Sequence, residues 1–362
     1  MRLHLFLFTS LLTFSAIAQN SYKYNQPEQL NDGWQTADLR TQGLDTTKLY
    51  QLFAQLPEAE HELHSILAVQ GGELLLEEYF DDQQRDDQHD LRSASKSIRS
   101  LLIGIAIDQG FIGSIDDPIQ KYLRPLEAKK NLDYRKEKIT IRHLLTMSPG
   151  WDCNDRDKGS AGQEDRIYRK KDWLQYALDL SIINEPGAVS SYCSIGTVML
   201  MEVLERASGM SLDGFAKKYL LDPLGISNYR WDHTSKKEVI SAAKRLYMTP
   251  RDMAKIGQLV LQNGNWNGQL LVSEAWIAQS TNQHTFIDES GYGFLWWMNA
   301  FPYEGKAIPG FAASGNGGQY IVVFPEIDAV FVFTGGAYNS PKAQLPLFVI
   351  RDILIPTFGA RN

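Results

Sequence analysis

Apolar residues recur along this chain with two different periods, and the period changes where the chain changes character. Near the start, His64–Gln70 and Leu74–Phe80 are strand-like apolar runs separated by Gly71-Gly72, a pattern that predicts a β-hairpin. A short helix is expected before it, from Thr46 to Gln55. From Ser97 the period becomes helical: Ile98, Leu101, Leu102, Ile105 and Ala106 fall on one face, and Gly110 supplies the stop. Helices follow from Thr140 to Met147, from Asp172 to Leu180, and from Ile195 to Ala207 before Ser208-Gly209. Another begins at Ser211 and stops near Pro223-Leu224-Gly225. Thr249-Pro250 gives a strong start signal, a capping hydroxyl followed by proline at the first helical position, for a helix that ends at Asn263-Gly264. Strand character returns over Tyr292–Met298, Gln319–Phe324 and Ala329–Thr334, and Leu345–Ile355 reads as a closing helix.

Strands at both ends with helices between them predict an α+β fold, an α/β sandwich in which an antiparallel sheet is flanked by helices. The mostly helical segment, about residues 96–239, is expected as an inserted lobe. Residues 45–95 and 240–362 are expected to build the α/β lobe, with a ligand pocket between the two. At 362 residues, 43% of them hydrophobic and 22% charged, the chain is large enough for such a core.

Residues 1–18 are set apart. Arg2 and His4 precede the apolar run Leu5–Phe14, and Ala16-Ile17-Ala18 suits cleavage before Gln19, so the segment reads as a signal peptide. It contains no Cys for lipid attachment. The expected location is periplasmic or secreted, without stable membrane insertion after cleavage. A formal charge of -7 and the absence of long basic runs argue against a nucleic-acid partner. In an oxidising compartment Cys153 and Cys193 are compatible with a disulfide, or with two buried thiols. Two cysteines without clustered histidines make no metal site.

The candidate chemistry lies at Ser93-Ala94-Ser95-Lys96, where the charged loop Asp81–Asp90 gives way to an apolar helix. Lys96 is one helical turn from Ser93, close enough to take its proton, and the amides of a helix start favour a developing oxyanion. By itself the motif fits a helix-capping serine better than a nucleophile. A second copy, Ser241-Ala242-Ala243-Lys244, is read as chance. Two further elements change the balance. Tyr192-Cys193-Ser194 opens the Ile195 helix, and Gly310–Gln319, carrying Ala313-Ser314-Gly315-Asn316, leads into a strand.

In that order the three elements resemble the serine β-lactamase and penicillin-binding-protein family. The likeness is to its branch of class C β-lactamases, D-alanyl-D-alanine carboxypeptidases, esterases and 6-aminohexanoate-oligomer hydrolases. Ile139–Gly150, Tyr247–Asp252 and Tyr292–Trp297 support the likeness, which extends over about residues 60–350. The resemblance implies a β-lactamase/transpeptidase-like fold and no cofactor. It makes Ser93 the acyl-accepting nucleophile, Lys96 its partner, and Tyr192 a sharer of the proton transfers. The amides of Ser93 and Asn316 become the oxyanion hole, with Gly315, Ser314 and Ser194 lining the substrate site. Many relatives carry Asn where Ser194 stands. Many also carry a Lys or His that pairs with a substrate carboxylate where this chain has Ala313, and a methyl group makes no such contact. The expected substrate is therefore a small carboxylic ester or linear amide. The alternatives are a β-lactamase or D-alanyl-D-alanine carboxypeptidase and, from another class, a non-catalytic cell-wall or penicillin sensor. No G-x-S-x-G motif offers a competing nucleophile. His143 is expected to be structural, and Trp296 and Trp297 are expected in the core rather than in a pocket wall.

Overall fold

The strand-forming runs from both ends of the chain meet in one nine-stranded sheet in the computed structural model, which describes residues 22–233 and 240–359. In chain order its strands are β1 (Gln35–Thr36), β2 (Leu63–Gln70), β3 (Glu73–Tyr79), β4 (Thr285–Ile287), β5 (Ser290–Tyr292), β6 (Trp297–Tyr303), β7 (Lys306–Gly315), β8 (Gln319–Phe324) and β9 (Ala329–Gly335). Their spatial order is β1-β3-β2-β9-β8-β7-β6-β5-β4. The N-terminal hairpin thus joins the C-terminal strands through the β2–β9 pairing. All pairings are antiparallel except the short contact of β1 with β3, a parallel addition to the antiparallel sheet expected.

The central strands are apolar on both faces because both faces are covered. Along β9, Val330 and Val332 enter one core while Ala329, Phe331 and Phe333 enter the other. Helix α1 (Thr47–Gln55) and the continuous helical run Leu345–Phe358 cover the second face. Against the first lie α2 (Ser95–Asp108) and, after α3 (Ile141–Leu145), α4 (Trp173–Leu178) and α5 (Ser194–Ser208), the helix α6 (Pro250–Leu261). Close approach of α6 requires Gly257, since a Cβ there would sit 2.4 Å from Val330 Cγ1.

The capping signals act as the sequence suggests. The side chains of Thr140, Asp172 and Thr249 accept backbone N–H groups at the starts of α3, α4 and α6, and Gly209 ends α5 in the left-handed conformation. His143 completes a capping box with Thr140, a structural task.

The expected strand Tyr292–Met298 is not continuous. It breaks between β5 and β6, with Leu295 in the left-handed region at φ 64°. The Leu295 amide donates to the Leu145 carbonyl, and the Leu295 carbonyl accepts from Ser97 Oγ at 2.6 Å. These groups are thereby committed to α3 and α2, and no strand ladder can use them. Among the described residues no helix is long and apolar enough to cross a membrane. The signal peptide expected over residues 1–18 lies outside the described residues.

Candidate active site

The turn that carries Ser93 is set by the residues before it. Arg92 adopts the left-handed conformation (φ 49°), uncommon for a side-chain-bearing residue. Asp90 holds it there, accepting the Arg92 amide at 3.0 Å on one oxygen and pairing with Nε at 2.9 Å on the other. A single 3-10 turn, Arg92–Ala94, then presents Ser93 and leads into α2, whose N-terminus receives no side-chain cap. Ser93 is therefore not spent as a capping serine. Neighbouring hydroxyls are committed elsewhere, Ser95 Oγ to the Arg92 carbonyl and Ser97 Oγ to Leu295. Lys96, buried in the same face of the helix, donates from Nζ to Ser93 Oγ at 2.9 Å.

The end of β7 lies against this turn. Its pairing with β6 begins at Ala312, opposite Trp297, so Ala313, Ser314 and Gly315 are paired to β8 alone and their other strand edge is open. A Cβ at Gly315 would stand 2.3 Å from the Leu91 carbonyl oxygen and 3.1 Å from the Ala94 amide nitrogen, so glycine alone lets strand and turn meet. The next residue, Asn316, lines the same cavity as Ser93 and exchanges hydrogen bonds with Asn339 at 2.8 and 2.9 Å. Ala313 is fully buried. Ser314 faces Tyr320 across the ladder on the opposite face of the sheet and does not line that cavity.

Tyr192 reaches Lys96 by its ring: Nζ lies 4.9 Å from the ring centroid. On the other side Trp297 stacks on Tyr192 at 5.7 Å, with the Arg156 guanidinium 5.8 Å from the tyrosine ring and 5.7 Å from the indole. The two tryptophans therefore part company. Trp296 is core, as expected, whereas Trp297, the first residue of β6, is half-buried, packed against the core and stacked beside Tyr192. The cysteines form a disulfide, Cys153–Cys193, with Cα atoms 5.5 Å apart. It fastens the loop 153–156 to the start of α5. Within that junction the Asp155 amide donates to the Tyr192 carbonyl, and the Asp155 carboxylate accepts the amides of Ser194 at 2.8 Å and Glu164 at 3.1 Å. Burial pushes the Asp155 carboxyl above its ordinary value, against the pull of the Lys96 charge and the Ser194 hydrogen bonds.

A cavity of about 230 Å³ opens at Ser93 and runs along α2 past Lys96 to Arg99. Ser194, Thr197, Glu164 and Arg245 form its other walls. The structure thus brings together Ser93, Lys96, Gly315, Asn316, Tyr192 and Ser194, and leaves Ser314 outside the cavity. Sequence reasoning missed Asp155, Arg156, Arg99, Glu164 and Arg245. For the first two a signal existed: a Cys153–Cys193 bridge places residues 155–156 beside Tyr192. The second S-x-x-K copy forms no matching pair, since Ser241 and Lys244 each reach Asp213 instead.

Comparison with known proteins gives the family and the fold. The Beta-lactamase family profile matches residues 51–350. The 6-aminohexanoate-dimer hydrolase of Paenarthrobacter ureafaciens is 23% identical over 325 residues, spanning 82% of this chain and 79% of that protein. Among solved structures, the octameric penicillin-binding protein homologue from Pyrococcus abyssi superposes with a TM-score of 0.67 at 19% identity, over 86% of this chain and 78% of that one. A D-stereospecific amidohydrolase from Streptomyces sp. does so with a TM-score of 0.61 at 17% identity, over 81% of this chain and 94% of that one. At these identities the structural likenesses establish the fold.

Proposed function

The chain belongs to the Beta-lactamase family, whose fold and hydrolytic character it shares, and from that premise we propose that it hydrolyses small carboxylic esters or linear amides through an acyl-enzyme on Ser93. The observation that carries the proposal is the 2.9 Å contact between Lys96 Nζ and Ser93 Oγ at the mouth of a cavity, against the open end of β7.

In this reading Lys96 is the base that takes the Ser93 proton as Oγ attacks the carbonyl carbon. The amides of Ser93 and Asn316 receive the oxyanion, and Gly315 keeps the two segments close enough to do so. Tyr192 works with Lys96 in returning a proton to the departing alcohol or amine. Water then releases the acid by the reverse sequence. Ala313 places a buried methyl where a charged partner for a ring carboxylate is needed, which favours esters and open-chain amides over β-lactams. The relation to 6-aminohexanoate-dimer hydrolase supports linear amides in particular. The disulfide and the apolar N-terminal run support a periplasmic or secreted protein.

Labelling of the folded protein with a fluorophosphonate, followed by peptide mapping, should place the adduct on Ser93, and Ser93→Ala should abolish it. Intact protein that remains unlabelled would remove the nucleophile from Ser93. Fast turnover of a fluorescent penicillin would replace the ester and amide assignment with a β-lactamase one.

A further inference from the structure

We infer that the inner end of the cavity is a carboxylate-binding subsite built on Arg99, and that the preferred substrates carry a carboxylate on the acyl chain. This inference rests on the reading of Ser93 as nucleophile and adds the substrate class to it.

Four basic side chains line the cavity, and three already have other tasks. Arg92 and Arg245 share the Asp90 carboxylate at 2.9 and 3.2 Å, and Lys96 is held on Ser93. Arg99 differs. It is only 6% exposed, and its guanidinium is satisfied by neutral groups, NH1 to Thr197 Oγ1 at 3.3 Å and NH2 to the Lys244 carbonyl at 2.8 Å. Its buried Nε has no hydrogen-bond partner, and among the described residues no carboxylate lies within ion-pair distance of it. The two acids of the cavity wall are committed: Glu164 accepts the Tyr168 hydroxyl, and Asp165 accepts from Gln163 Nε2 at 3.3 Å.

A guanidinium taken out of water with no carboxylate at ion-pair distance is costly, and burial pushes Arg99 down to about 10 against the opposing pull of Tyr168 and the more distant Glu164 carboxylate. A ligand carboxylate entering the cavity supplies the missing charge. Arg99 lies six residues beyond Ser93, fewer than two helical turns and about 9 Å of rise, and both line the cavity. A short chain esterified at Ser93 therefore runs along α2 with its far end at Arg99. The acyl group suits this position better than the leaving group. It stays in the cavity until deacylation, whereas a leaving group anchored at the buried end would block its own departure.

The test uses p-nitrophenyl monoesters of succinic, glutaric and adipic acids beside their methyl-capped neutral counterparts. Wild type should favour the best free acid over its capped form by about ten-fold or more in kcat/KM, the range of one charge-assisted contact. Arg99→Gln should bring that ratio towards one, and Arg99→Lys should restore part of it. Val198→Glu, which sets a carboxylate in the same cavity wall while keeping Arg99, should also abolish the preference should Arg99→Gln fail to fold. A ratio near one in wild type that still labels at Ser93 overturns the subsite and leaves the hydrolase reading intact. Binding of free glutarate gives a readout independent of turnover. It should raise the Tm of wild type and of Ser93→Ala but not of Arg99→Gln. That pattern in protein that fluorophosphonate does not label would keep the subsite and overturn the nucleophile. No shift in any of the three overturns the subsite.

Discussion

The Cys153–Cys193 disulfide should act on reactivity as well as stability, and replacing both cysteines with alanine separates the two effects. The cysteines are 40 residues apart, so the bridge removes loop-closure entropy worth about 4 kcal/mol from the unfolded chain. Both are buried, and truncation to alanine adds roughly 1 kcal/mol for each lost sulfur. The enclosed segment is loop-rich and holds only short helices, among them Glu164–Ile167 and α4, so little else restrains it once the bridge is gone. Its first residues after the bridge are Asn154, Asp155 and Arg156, which fix the Tyr192 carbonyl, the Ser194 amide and the faces of Tyr192 and Trp297. Urea denaturation followed by tryptophan fluorescence should therefore show a loss of about 4 to 6 kcal/mol. Fluorophosphonate labelling, measured at low urea and low temperature where the variant is still folded, should slow by about ten-fold or more. A full stability loss with an unchanged labelling rate would refute the positioning role and leave the bridge as a staple only. A loss below about 1 kcal/mol would refute the loop-entropy reasoning itself.

Four further outcomes follow from particular contacts. Gly315→Ala should cost about 1–3 kcal/mol and depress labelling more than stability, because a Cβ 2.3 Å from the Leu91 carbonyl must displace the turn holding Ser93; equal labelling rates in the two proteins would contradict this. Arg251→Met should cost about 3–5 kcal/mol in urea, since it leaves buried Glu77 without its partner; Arg251 also reaches Asp32 and the Glu28 carbonyl, so proteolysis near the N-terminus should rise. His89 is pushed down to about 4 by burial and by His64, whose Nδ1 lies 3.5 Å from its own; the unfolded chain binds that proton near pH 6.5, so the stabilisation is complete above 6.5 and is lost as pH falls towards 4. His89→Gln should remove up to about 3 kcal/mol of this acid sensitivity, and an unchanged slope of stability against pH between 6.5 and 4.5 would count against the assignment. Gly104→Ala should destabilise by about 1–3 kcal/mol in thermal unfolding, because its Cβ would stand 2.3 Å from the Trp276 ring; a neutral result would mean that the indole can move aside.

Much of the architecture is legible from patterns that act over a few residues. The hairpin around Gly71-Gly72, the capped starts at Thr140, Asp172 and Thr249, and the stop at Gly209 depend on backbone groups satisfied locally, so the chain carries their instructions in place. The doubly buried strands announce themselves as unbroken apolar runs. In the same way Ser93 and Lys96 are readable because one helical turn brings them together, whatever the rest of the molecule does.

Tertiary structure decided what depends on partners distant in sequence. Tyr292–Met298 has strand composition, yet Leu145 and Ser97 take the backbone groups of Leu295, and the resulting turn sends Trp296 into the core and Trp297 to the side of Tyr192. Ser314 sits in the right motif, but the pleat of β7 points it away from the cavity. Asp155 and Arg156 gain their place through a bridge that spacing alone allowed without requiring. Arg99 reads in the sequence as one more polar residue on a helix, and only the packing of α5 and the 164–168 segment over α2 buries its charge without a carboxylate partner among the described residues. The Ser93–Lys96 contact was thus fixed by helical geometry. The walls of the cavity around it were fixed by long-range packing, where burial and charge compensation have no local signature.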